Sequence, residues 1–124
     1  MQFVECMGTE VGVKDEYASQ LHRRIPFYRE QFENCTTVKR NLEIVHVYPD
    51  SESDLDMSFF ENIREVRGYV LVVRNFVGRI RLTSLRVIRG RRLFLGAYSL
   101  FVTDNSFNST TGLRDLELPS LMGQ

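Results

Sequence analysis

The feature that most constrains this chain is an internal repeat. Phe60-x-x-Ile63-x-x-Val66-Arg67-Gly68 recurs 22 residues later as Leu82-x-x-Leu85-x-x-Ile88-Arg89-Gly90. Both copies place an apolar residue at every third position and close on Arg-Gly. A second set interleaves with the first. Leu42/Ile44, Val70/Val72 and Leu100/Val102 read as equivalent strand pairs, 28 and 30 residues apart, and Asn75 and Asn105 follow the last two pairs. Self-similarity at a period of roughly 20–50 residues means stacked units, each burying its apolar face against the next. The spacing therefore predicts a mainly β solenoid with rungs over about residues 41–121. Gly68 and Gly90 fall where a tight corner would need positive φ. The corner asparagines offer an amide to backbone groups that the ladders leave unpaired. A third copy begins at Leu118-x-x-Leu121, and its next in-register position is Gln124. The array is accordingly expected to be incomplete at its C-terminal end, with apolar surface and strand edges exposed there.

The texture before residue 41 is different. Asp15, Tyr17, Leu21 and Ile25 run at helical spacing, Pro26 is expected to interrupt, and Phe27, Tyr28 and Phe32 continue a short amphipathic piece. A helical cap over about residues 14–34 would close the first rung. Asn41 to Val47 is rich in β-branched residues and reads as a strand. Residues 48–56 are polar, with Pro49 and Asp50, and read as a surface loop. The whole of 1–124 is one domain, long enough for a real core but not for two.

Charge balances overall but not locally. Residues 1–62 carry 6 basic and 12 acidic side chains, and residues 63–124 carry 10 and 4. Nine arginines and one acid, Glu65, lie between Arg64 and Arg92. Such a stretch can hold phosphates. Apolar residues alternate with the arginines, however, as on a half-buried strand, which favours a solvated outward face. There are two cysteines, Cys6 and Cys35. They cannot make a structural zinc site alone. A bridge between them would contribute roughly 3 kcal/mol and imply an oxidising compartment; two free thiols in a reducing one remain the other reading. Asn34-Cys35-Thr36 and Asn108-Ser109-Thr110 are N-glycosylation tripeptides. The first is the poorer acceptor if Cys35 is bridged, which leaves Asn108.

Little here suggests catalysis. His22 and His46 have no nucleophile in a motif context. Asp50, Glu52, Asp54 and Asp56 alternate in one loop but lack the glycine and the bidentate glutamate of a calcium-binding loop. Glycine-rich phosphate loops and the kinase signature pieces are absent from the sequence. No metal or cofactor site is expected, and no apolar run reaches 18 residues.

The motif content is more specific than the period. Cys6-x-Gly8-Thr9, Asn34-Cys35 and Asn41-Leu42-Glu43-Ile44 open a series. Phe59-Phe60-x-x-Ile63-x-Glu65-Val66-x-Gly68-Tyr69-Val70-Leu71-Val72 and Leu82-x-x-Leu85-x-Val87-Ile88-Arg89-Gly90 continue it. Tyr98-x-Leu100-x-Val102 and Thr111-Gly112-Leu113-x-x-Leu116 complete it. Over roughly residues 4–121 this resembles the first receptor L domain of the epidermal growth factor receptor family of receptor tyrosine kinases. The resemblance implies a right-handed β-helix with a helical cap and a Cys6–Cys35 disulfide. It also implies an extracellular role in which an epidermal-growth-factor-like protein is bound together with the remaining receptor domains. The targeting segment, the membrane span and the kinase of such a receptor would lie outside these residues. By register the family's ligand-binding sheet includes His46, Arg74 and Thr103, where family members often have aromatic or aliphatic residues at the first two.

Three classes of function are thus distinguishable. A growth-factor-binding module, as part of a membrane receptor or as a secreted or truncated decoy, follows from the ordered motifs. A β-helix enzyme acting on polysaccharide would need acids clustered with a base on one sheet, and the arginine stretch has almost no local acidic partners. Binding to nucleic acid or heparin through the arginines would show as affinity that falls steeply with salt.

Overall fold

The computed structural model describes residues 3–10, 24–47, 57–75, 79–103 and 115–122. The protein is mainly β. Short parallel strands form three ladders, and the repeat explains their register. Ladder one joins β1 (Glu5–Cys6), β2 (Thr37–Val38), β4 (Glu65–Val66) and β7 (Val87–Ile88) in that order. Ladder two joins β3 (Leu42–Val45), β5 (Val70–Val73) and β8 (Leu100–Thr103). A third pairs β6 (Arg79–Arg81) with β9 (Asp115–Glu117). Val66 pairs with Ile88, the 22-residue offset. Leu42 pairs with Val70 and Val70 with Leu100, the 28- and 30-residue offsets. After β1, each pass of the chain thus lays one strand on each of the first two ladders. In-register parallel pairing puts like side chains side by side, so the apolar pattern must repeat.

A turn precedes each strand of ladder one after the first. Its N–H to C=O bond links Ile63 to Phe60 and Leu85 to Leu82, as the repeat predicts. The third copy forms too. Leu121 bonds Leu118 at 3.3 Å, and Met122 then donates to the Arg86 carbonyl at 2.9 Å. A further copy escaped the sequence reading: Cys35 bonds the Phe32 carbonyl at 2.9 Å, so the end of the helix doubles as the first corner.

That helix, α1, spans Arg24–Phe32. Pro26 does not interrupt it but sits at its third residue. There its missing N–H costs nothing, because first-turn donors have no intrahelical partner. The expected helical residues 14–23 lie outside the described residues, as does the loop 48–56. Ile25, Tyr28 and Phe32 bury one face of α1. The Tyr28 ring lies 5.8 Å from Phe60, and Phe32 lies 5.5 Å from Phe60. The Tyr28 hydroxyl accepts from the Val45 N–H at 3.0 Å and donates to the Val45 carbonyl at 3.4 Å. The helix thereby covers the outer edge of β3, the end strand of ladder two.

The inward residues Val38, Leu42, Ile44, Ile63, Val66, Val70, Val72, Ile80, Leu82 and Leu85 share one apolar core with α1. A smaller cluster of Val45, Tyr69, Leu71 and Val73 covers the other side of ladder two, flanked by Phe94 and Phe101. As a result β3 and β5 are buried on both faces, whereas β8 is only partly covered and Val102 is 44% exposed.

The corners correct one expectation and support another. Gly90 has φ 65°, as a tight corner requires. Gly68 is not left-handed; its constraint is close approach. A Cβ there would fall on the Asn41 side chain and 2.5 Å from the Arg40 carbonyl oxygen. Asn75 behaves as a corner amide should. It accepts from the Val47 N–H at 3.1 Å and donates to the Ile44 carbonyl at 2.7 Å. Asn41 does the same between Tyr69 N–H and Thr9 C=O, at 3.0 and 2.9 Å. Asn105 lies outside the described residues. Cys6 and Cys35 are joined in a disulfide, tying β1 to the end of α1.

Candidate ligand-binding face

The candidate residues lie where the strands of ladder two end. His46 and Arg74 are the first residues beyond β3 and β5, so the 28-residue register stacks them. Both adopt left-handed backbone, with φ 55° and 58°. This costs an L-residue roughly 1–2 kcal/mol. The following Asn75 amide bonds compensate, and the His46 N–H donates to the Val73 carbonyl at 3.1 Å. The chain is thus bent sharply away from the sheet at the same place on successive passes.

Thr103 does not stack with these two. It pairs with Val73, one residue short of their row, and the residue that continues the row is Asp104, outside the described residues. Exposure separates the three further. Thr103 is exposed and Arg74 half-buried, whereas His46 is only 3% exposed. Arg74 and Thr103 can meet a partner through their side chains; His46 shapes the turn from beneath.

A polar network joins this face to the N-terminal segment. Glu43, 1% exposed, lies on the same side of β3 as Val45. It accepts from the Tyr69 hydroxyl at 2.6 Å and from the Thr9 hydroxyl. Burial, reinforced by the hydrogen bond and charge of Glu43, pushes the Tyr69 phenol above its usual 10.0. Thr9 also bridges antiparallel to Asn41, which holds the segment after β1 along ladder two. The sequence reading missed this network. Its one signal was an acid inside the otherwise apolar Leu42–Val45.

Four of the nine arginines of residues 64–92 find acids on other passes of the chain. Arg67 pairs with Glu5 at 3.1 Å, Arg89 with Glu65 at 3.0 Å, Arg92 with Glu10 at 2.7 Å and Arg81 with Glu117 at 2.9 Å. The outward reading holds for β6, where exposed Arg79 and Arg81 flank buried Ile80. Among the described residues no group of three or more His, Cys, Asp or Glu side chains could hold a metal ion. Nor is any helix there long and apolar enough to cross a membrane. Asn108 and the acidic loop lie outside the described residues.

The family model described as "Receptor L domain" matches residues 34–123. This chain belongs to the receptor L domain family. The receptor L domain here is similar to "Receptor tyrosine-protein kinase erbB-2" of Rattus norvegicus, 32% identical over 94% of this chain. It is 36% identical to "Epidermal growth factor receptor" of Gallus gallus and 37% identical to "Receptor tyrosine-protein kinase erbB-4" of Homo sapiens, each over 94% of this chain. The receptor L domain spans 10%, 16% and 8% of the length of those three relatives. Cys35 and the strands from β2 onward fall within residues 34–123.

Proposed function

We propose that this receptor L domain is an extracellular, non-catalytic module that binds an epidermal-growth-factor-like protein as part of a membrane receptor. The observation that carries the reading is 36% identity to an epidermal growth factor receptor across 94% of the chain. The disulfide supports an oxidising, extracellular setting. The two main parallel ladders form the sides of a right-handed β-helix capped by α1, with residues 1–124 belonging to one receptor L domain. The ligand lies across the end of ladder two, beside the segment that Thr9 anchors. Arg74 and Thr103 form its rim, and His46 sets the turn beneath them. Other receptor domains complete the grip, and any kinase activity belongs to a different part of the receptor.

The test is binding of a labelled epidermal-growth-factor-like domain to the chain joined to its natural continuation. Arg74→Glu and Thr103→Arg each weaken binding at least about tenfold, a cost of about 1.4 kcal/mol. The far-ultraviolet spectrum stays unchanged. Undiminished binding by both variants moves the site elsewhere, and no binding by the joined chain rejects the function.

A further inference from the structure

The outward side of ladder one has an excess of positive charge that its ion pairs do not remove. Cys6, Val38, Val66 and Ile88 point into the core. The residues after them, Met7, Lys39, Arg67 and Arg89, therefore form an outward row in the pairing register. Glu5 and Glu65 stand in the neighbouring outward row and hold Arg67 and Arg89. At the strand starts Arg64 and Arg86 follow one another, the Arg86 N–H donating to the Arg64 carbonyl at 2.8 Å. At the strand ends Arg40 and Arg91 are exposed. Lys39, Arg40, Arg64, Arg86 and Arg91 pair with no acid among the described residues. Among the described residues the face thus carries seven cations against two acids on strands about 4.8 Å apart. Like charges that close leave a field that attracts a linear polyanion.

We propose that this face binds a sulfated glycosaminoglycan chain. Its cations follow adjacent strands and so form a strip rather than a pocket, which suits an extended polymer. Planar guanidinium forks bind tetrahedral oxyanions in bidentate fashion. A nucleic acid fits less well. Met7, Thr37 and Val87, the uncharged members of the outward rows, offer no aromatic ring for bases to stack on. The Cys6–Cys35 bridge belongs to this same ladder and calls for the oxidising compartment in which sulfated glycans are the abundant polyanions. The strip is on ladder one, apart from the ladder-two residues proposed for growth factor, so either proposal stands or falls alone.

The experiment measures affinity of the 124-residue chain for a heparin-derived oligosaccharide across a sodium chloride series. Binding is expected to fall steeply and linearly on log–log axes as salt rises through about 0.15 M. The triple variant Lys39→Gln, Arg40→Gln and Arg91→Gln breaks no ion pair of the described residues, and it is expected to bind at least about tenfold more weakly with a shallower salt slope. The control Arg29→Gln, Arg79→Gln and Arg81→Gln removes the same charge away from ladder one and is expected to change affinity less than about twofold. Equal losses in both variants would reduce the effect to net charge and overturn the site. Absence of salt-sensitive binding overturns it as well. Duplex DNA bound as tightly, with the same dependence on the triple variant, overturns the assignment to a glycan.

Discussion

At the residue scale the Glu43–Tyr69 pair shows how one buried charge is tolerated. A carboxylate that is 1% exposed survives because Tyr69 and Thr9 donate to its two oxygens. Tyr69→Phe removes one donor and keeps the ring. It is expected to destabilise the fold by about 1–3 kcal/mol, read as a lower urea midpoint. The phenol also sets a pH dependence. Its ionisation lies higher in the folded protein than in the unfolded chain, so the folded state favours the neutral hydroxyl. That contribution is complete below the ordinary value of 10.0 and is lost as pH rises above it through the folded value. Denaturation midpoints should therefore fall above about pH 10, and the Tyr69→Phe variant should lose part of that slope. An equal slope in the variant would assign the alkaline loss to other groups. Gly68 carries a different lesson. The repeat marked it correctly, but its spacing could not tell a left-handed corner from a close approach to Asn41.

At the element scale α1 matters more for its edge contact than for its helicity. Strand edges expose unpaired N–H and C=O groups that invite pairing with another chain. The Tyr28 hydroxyl engages both groups of Val45 on the outer edge of β3. Tyr28→Phe is expected to cost about 1–3 kcal/mol and to raise amide hydrogen exchange at Val45 first. Uniform loss of protection across ladder two would mean that the hydroxyl serves the whole sheet instead. The ladders were legible in the sequence because in-register parallel strands demand the same apolar pattern on every pass. The Phe32–Cys35 corner was not, since a helix end and a ladder corner share one three-residue spacing. The acids that pair with the arginines were not legible either, because Glu5, Glu10 and Glu117 approach them across passes rather than along the chain.

At the scale of the whole molecule the bridge and the burial gradient work at opposite ends. Cys6–Cys35 closes 29 residues and fastens the helical end. Its reduction is expected to destabilise the protein by about 2–4 kcal/mol, measured as a shift in urea midpoint with and without reductant. Intact mass before and after alkylation checks the bridge itself, and two alkylated thiols without reduction would refute it. Toward the other end cover thins, from the wholly buried β5 to the partly exposed β8 and a Met122 that is 63% exposed. That the protein is mainly β with in-register parallel strands was readable from spacing, and the proposed binding face only from register. Register alone did not reveal that His46 is buried, whereas the 30-residue offset already sets Thr103 beside Val73 rather than Arg74.

The pairing offsets also bear on how the protein assembles. Successive strands are brought together by closing stretches of 22 to 36 residues. Chain-closure entropy grows only with the logarithm of length, so these steps differ by about half a kcal/mol at most. No pairing is favoured by proximity along the chain. The order of assembly is then set by how much apolar surface each new strand covers, and the disulfide removes the closure cost from the first step alone. Folding should start beside α1 and spread one strand at a time toward β8.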